Sequence, residues 1–161
     1  MKISAAGLNL IKEFEGLRLE SYLCPSGIPT IGYGHTHGVK LGMTITQDQA
    51  DEFLKQDVAS FEACVSKYVK VPINQNEFDA LVSFTYNVGC GAFSESTLLR
   101  KLNQNEDRKS VASEFGRWVK GADGQPLAGL VRRRECESEL FLTAVKNPKL
   151  SQSILAKQDT W

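Results

Sequence analysis

Apolar positions recur at helical spacing along most of this chain, with one glycine-rich interval between them. Leu8, Ile11 and Phe14 share one face of a short first helix, which Ser4 can cap and Gly16 can end. From Ser21 to Met43 the pattern changes. Gly27, Gly32, Gly34, Gly38 and Gly42, two prolines and β-prone pieces such as Pro29-Thr30-Ile31 predict a small hairpin or meander with tight turns. Thr46-Gln47-Asp48-Gln49 then reads as a capping box. It opens a run in which Ala50, Phe53, Leu54, Val58, Phe61 and Val65 fall on one face. That predicts a helix over 46–69, about 35 Å long, stopped by Pro72. Asn74 to Glu77 is a second capping box, opening a helix with Phe78, Leu81, Val82 and Phe84. Shorter helices are expected near 96–104 and 108–119, a loop from Gly121 to Gly129, and a last helix from about 130 to 144. In the tail, Ile154, Leu155 and Trp161 allow a short docked helix.

The predicted class is therefore α+β, in a single domain spanning residues 1–161. A small β-rich lobe (about 15–45) joins a helical lobe (about 74–146) through the long helix, leaving 147–161 as a tail. A cleft between two such lobes is a natural ligand site.

Composition narrows the options. With 42% hydrophobic and 24% charged residues in 161, the chain is neither disordered, collagen-like nor membrane-spanning. At this length about two-thirds of the unfolded surface can be buried, enough for a core without metals or disulfides. The apolar stretch from Ile3 to Ile11 is too short and polar for a spanning helix and shows no clear leader pattern. A soluble cytoplasmic product is expected, with any export needing outside help. Nineteen basic and 19 acidic side chains cancel, which argues against general nucleic-acid binding. The charge is uneven: residues 108–161 carry 10 basic and 6 acidic groups, so +4. Arg132, Arg133 and Arg134 are its densest point. They could face an anionic polymer, or form a solvated face paired with Glu135, Glu137 and Glu139. Cys24, Cys64, Cys90 and Cys136 match no zinc spacing. In a reducing compartment four free thiols are expected, with Cys64 and Cys136 in the core and Cys90 structural.

The segment that carries chemistry runs from Phe14 to Thr36. It packs Glu15, Cys24, Thr30 and His35 beside glycine-rich turns. Glu15 ends a helix where the chain leaves for the hairpin, so its carboxyl can point into the cleft and act as a proton donor. Glu15, Cys24 and Thr30 are separated by eight and five residues, and Ile31-Gly32-Tyr33-Gly34-His35 follows. This spacing resembles the signature of the phage-type lysozymes, glycoside hydrolase family 24: Glu, eight residues, Asp or Cys, five residues, Thr, then an Ile-Gly-x-Gly-His run. Ser83-Phe84-Thr85-Tyr86-Asn87-Val88-Gly89, Ser96 to Asn103 and Gly129 to Glu135 resemble later landmarks, so residues 4–143 are covered.

The resemblance implies an endolysin-type muramidase, cutting the β-1,4 bond between N-acetylmuramic acid and N-acetylglucosamine. Glu15 would protonate the leaving oxygen, and Thr30 would hold the attacking water. Cys24 stands where many relatives carry Asp, and would support that water rather than form a lasting adduct. Thr36, Tyr86 and Asn87 would contact substrate. His35 would be a structural partner of Asp57, and Arg133, or a neighbour in the triple-arginine run, would pair with Glu15. Trp118 is open to a core role or a sugar platform. No cofactor or metal is expected. The partner is bacterial peptidoglycan, with no nucleic acid and no stable membrane insertion. The expected protein is a monomer, made in the host cytoplasm and reaching the periplasmic wall through a separate membrane-permeabilising protein. Two other readings compete: a thiol-dependent wall amidase or peptidase using Cys24 and His35, and a non-catalytic glycan-binding module.

Overall fold

The structure, a computed structural model, describes residues 1–145. The tail helix proposed for 151–161 lies outside the described residues. Helix α1 spans Ala5–Glu15, and the hairpin consists of β1 (Arg18–Leu23) and β2 (Pro29–Gly32). The long helix α2 covers Gln47–Tyr68 and α3 covers Gln75–Val88. The shorter α4 (Cys90–Ser94), α5 (Thr97–Asn103) and α6 (Arg108–Ser113) follow, then a 3-10 turn (Glu114–Arg117) and α7 (Ala128–Leu142).

Both capping boxes form. Thr46 Oγ1 accepts the Gln49 N–H at 3.2 Å, and Asn74 Oδ1 accepts the Glu77 N–H at 2.8 Å. Each satisfies amides that the first helical turn cannot. Ser4 does not cap α1, contrary to expectation. Its hydroxyl instead bonds Asp79 of α3, which is fully buried and also takes the Ser4 N–H at 2.9 Å and Gln75 Nε2 at 2.8 Å. A buried carboxylate needs donors more than a surface helix end does. Gly7 makes this approach possible: a Cβ there would lie 2.5 Å from Ile3 Cγ1 and 2.8 Å from Asp79 Cβ.

Helix α3 is the hub. Every residue from Glu77 to Thr85 is buried, so it is enclosed all round rather than amphipathic. Phe84 meets Phe93, Phe115 and Trp118 edge-on, at centroid distances of 6.4, 5.3 and 5.6 Å. Trp118 thus packs on the core. The hairpin is antiparallel, pairing Arg18 with Gly32, Tyr22 with Thr30 and Leu23 with Pro29. Its register shifts between Arg18 and Tyr22. There Ser21 N–H turns to the Met43 carbonyl at 2.9 Å, adding the 43–45 segment to the lobe.

Two expectations change. The helix predicted over 108–119 ends at Ser113 and tightens into the 3-10 turn, which seats Phe115 against Phe84 and Phe141. Helix α4 had no usable periodicity in five residues between glycines. Its first residue also overturns the expectation of four free thiols. Cys90 is disulfide-bonded to Cys64 on α2, with Cα atoms 6.0 Å apart. That expectation rested on compartment, whereas the packing of α4 beside α2 decides the geometry. Cys24 and Cys136 remain free, and Cys136 is only half-buried rather than a core residue. The bridge closes a 26-residue separation. Chain entropy then predicts that reducing it costs about 3.5 kcal/mol. Thermal melts with and without reductant measure this, and a change under about 1 kcal/mol would show that the loop constraint is not realised.

Candidate active site

Glu15 is the last residue of α1, and Gly16 turns the chain away by donating its N–H to the Lys12 carbonyl. The Glu15 side chain is about a quarter exposed (24%), against 4% for its partner Arg133 on α7. Arg133 Nη1 donates to Glu15 Oε1 at 2.8 Å. The same guanidinium donates through Nη2 to the Ser83 carbonyl at 3.0 Å and through Nε to Glu137 Oε2 at 3.2 Å. Glu137 is fully buried and also accepts Ser83 Oγ at 2.7 Å and Arg134 Nη1 at 2.6 Å. Arg134 then reaches Asn87 Oδ1 through Nη2 and the Trp118 carbonyl through Nε. A continuous polar chain therefore runs from Glu15 through the core to Asn87. It holds one Glu15 oxygen in a fixed fork.

The other oxygen faces the hairpin side. Gly34 has φ +94°, a conformation side chains rarely adopt, and a Cβ there would come 3.7 Å from both Glu15 Oε2 and the Tyr86 hydroxyl. Tyr86 donates to the Tyr33 carbonyl at 2.9 Å. Burial, with the Glu15 and Asp57 carboxylates nearby, pushes its phenol well above the usual range, so it stays a neutral donor. His35 is buried, stacked on Phe53 with centroids 4.2 Å apart, and its Nδ1 lies 2.8 Å from Asp57 Oδ2. These residues surround an open cleft of about 450 Å³, lined by Glu15, Thr36, Asp57, Tyr86 and Asn87 among others.

Cys24 and Thr30 lie on the hairpin, outside that lining set. Thr30 is buried and its hydroxyl donates to the Ile28 carbonyl at 2.9 Å. The Cys24 thiol is held below its ordinary range, first by a backbone hydrogen bond from Ile28, with Ser26 and Thr30 adding to it against the desolvation of the site. The Thr30 hydroxyl has one proton, so it serves Ile28 or the Cys24 sulfur, not both. Among the described residues no hydrogen bond joins either residue to Glu15 or His35.

The phage lysozyme family model matches residues 12–137. The chain belongs to the phage lysozyme family. An endolysin of Acyrthosiphon pisum secondary endosymbiont phage 1 is 47% identical over 147 residues, covering 89% of this chain and all of that protein. The solved muramidase domain of SpmX from Asticaccaulis excentricus is 42% identical, with a TM-score of 0.85 over 89% of this chain and 99% of the other. A P22 lysozyme mutant is likewise 42% identical, at a TM-score of 0.82 over 89% and 99%. The protein is thus a glycoside hydrolase with the α+β lysozyme fold.

The lysozyme frame sharpens several residues. Glu15, Arg133, Asp57, Thr36, Tyr86 and Asn87 meet around one cleft, while Cys24 and Thr30 contact each other on the hairpin. Arg18, three residues after Glu15, is stacked over Tyr22 at 4.4 Å from the ring centroid, and Glu15 takes its cation from Arg133. Neither reading of the triple arginine holds as a unit. Arg132 is exposed on Glu13, but Arg133 and Arg134 are buried on Glu137, so only one of the three is available to an anionic polymer. Glu137 was legible only as a member of a surface charge run. His37, Ser60 and Phe61 also line the cleft. None carried a motif, and only their closeness to Thr36 and Asp57 in the chain could have flagged them.

Proposed function

We propose that this lysozyme is an endolysin-type muramidase acting on the β-1,4 bond between N-acetylmuramic acid and N-acetylglucosamine. The observation that carries this is Glu15, gripped at one oxygen by buried Arg133 while lining an open cleft, in a member of the phage lysozyme family. Glu15 in its protonated form gives its proton to the leaving glycosidic oxygen. A water attacks the anomeric carbon from the far face, held by Thr30 and assisted by Cys24, whose depressed thiol offers more thiolate at neutral pH than a free cysteine. Thr36, Tyr86 and Asn87 position the sugars. His35 with Asp57, and Arg133, act as supports that orient the cleft rather than as reacting groups.

The amidase alternative has no support in the geometry: among the described residues no hydrogen bond joins Cys24 to His35, whose ring is buried and stacked on Phe53. No helix among the described residues is long and apolar enough to cross a membrane. The chain then works as one catalytic domain, as a monomer, synthesised in the host cytoplasm and admitted to the periplasm by a separate membrane-permeabilising protein. Incubation with purified peptidoglycan tests the reading. New reducing ends without new amino groups are expected; new amino groups alone would establish an amidase, and neither would indicate a binding module.

The role of Cys24 has its own test. Attack by water from the far face inverts the anomeric centre, so α product is expected. Cys24→Ser is expected to lower turnover by about 10²-fold, with Cys24→Asp keeping most of it. A retained β product would rule out direct attack by that water. Two variants as active as the parent would remove the thiol from the chemistry.

A further inference from the structure

One ionisable side chain in the cleft is left over by the mechanism above. The two carboxylates of the lining are each engaged, Glu15 by Arg133 and Asp57 by His35, both at 2.8 Å. His37 lines the same cleft, is exposed, and has no such partner among the described residues. It is also not loosely held. Val39 N–H closes a turn onto the Thr36 carbonyl at 3.3 Å, with His37 and Gly38 at its centre and Gly38 at φ +70°. The turn is pinned on both sides by buried residues, His35 on Asp57 and Val39 in the core. The turn therefore presents an imidazole without a hydrogen-bond partner among the described residues at the rim where Glu15 works.

An imidazole always keeps at least one ring N–H to donate, and a carboxylate is among the strongest acceptors that N–H can meet. On the sugars themselves it finds hydroxyl and acetamido groups, with one lactyl carboxylate wherever a muramic acid bears no peptide; where a peptide is attached that lactyl carboxyl is an amide, and the free carboxylates are the peptide's. Peptidoglycan differs from a bare chain by the stem peptides on muramic acid, which carry free carboxylates. We propose that His37 is a specificity residue that binds a stem-peptide carboxylate and so favours peptide-bearing, anionic glycan. This rests on the muramidase reading and names what part of the substrate, beyond the scissile sugars, the cleft recognises.

Two substrates test it: soluble glycan strands in which every muramic acid bears a stem peptide with free carboxylates, and the same strands with those carboxylates chemically amidated. Reducing-end release gives kcat and KM for each. The parent protein is expected to prefer the free-carboxylate strands through KM. His37→Ala should raise KM on those strands by about threefold to tenfold, the scale of one partly exposed charge-assisted hydrogen bond. It should leave the amidated strands little changed, and His37→Lys should restore the preference. A parent without preference, or a His37→Ala protein that keeps it, overturns the assignment. If the parent releases no reducing ends from either substrate, the muramidase reading itself falls and this one with it.

Discussion

Glu15→Gln is expected to lower kcat on peptidoglycan by about 10²–10⁴-fold, the usual contribution of a positioned general acid. That corresponds to about 3–5 kcal/mol of transition-state stabilisation. The substitution is nearly isosteric. The amide oxygen can still accept Arg133 Nη1 where Glu15 Oε1 now does, at 2.8 Å, and the amide nitrogen takes the position beside Gly34. What disappears is the transferable proton. KM and the melting temperature should therefore stay close to those of the parent, which separates lost chemistry from lost structure. Reducing-end release at saturating substrate is the measurement. A fall of less than tenfold would remove Glu15 from the acid's role.

Much of the fold was legible because its signals are local. Capping boxes at Thr46 and Asn74 name their own helix starts, and the glycines between Ser21 and Met43 announce a break in periodicity. The mutual spacing of Glu15, Cys24 and Thr30 is itself a pattern, which made them candidates; of the three, Glu15 is the one that lines the cleft. The remaining errors share one cause. Whether Ser4 caps α1 or serves Asp79, and whether Cys64 meets Cys90, depend on which surfaces face each other after folding. Periodicity along one segment contains no such information.

The triple arginine is the clearest case. On a helix, Arg132, Arg133 and Arg134 step by about 100° each, so they cannot share one environment. The sequence run invites a single electrostatic role. The helix divides it into one exposed ion pair and two buried ones. For the same reason the basic last third offers less positive surface than its +4 suggests.

Glu137→Ala is expected to destabilise the protein by about 3–5 kcal/mol, the cost of leaving a buried ion-pair network without one partner. Glu137 has no exposure, and both guanidiniums that bind it are nearly sealed, Arg133 at 3% and Arg134 at 2%. With Glu15, the four charges sum to zero. Alanine removes one negative charge and three accepted hydrogen bonds, from Arg133, Arg134 and Ser83. Water entering the space left behind can accept hydrogen bonds but supplies no negative charge, so the two arginines must either stay buried with a net positive charge or open the α3–α7 packing. Either course costs far more than a surface ion pair. At about 2–4 °C per kcal/mol for a domain of this size, the melting temperature should fall by about 6–20 °C. Arg134→Leu added to Glu137→Ala should recover part of the loss, since it removes one stranded cation and fills its place with apolar volume. Arg133 would lose a brace as well, so the Glu137→Ala protein that remains folded should show reduced kcat without any change at Glu15 itself. Urea unfolding of the two variants and the parent decides the matter. A Glu137→Ala loss below 1 kcal/mol would mean that the arginines find other partners and that the network does not set the position of Glu15.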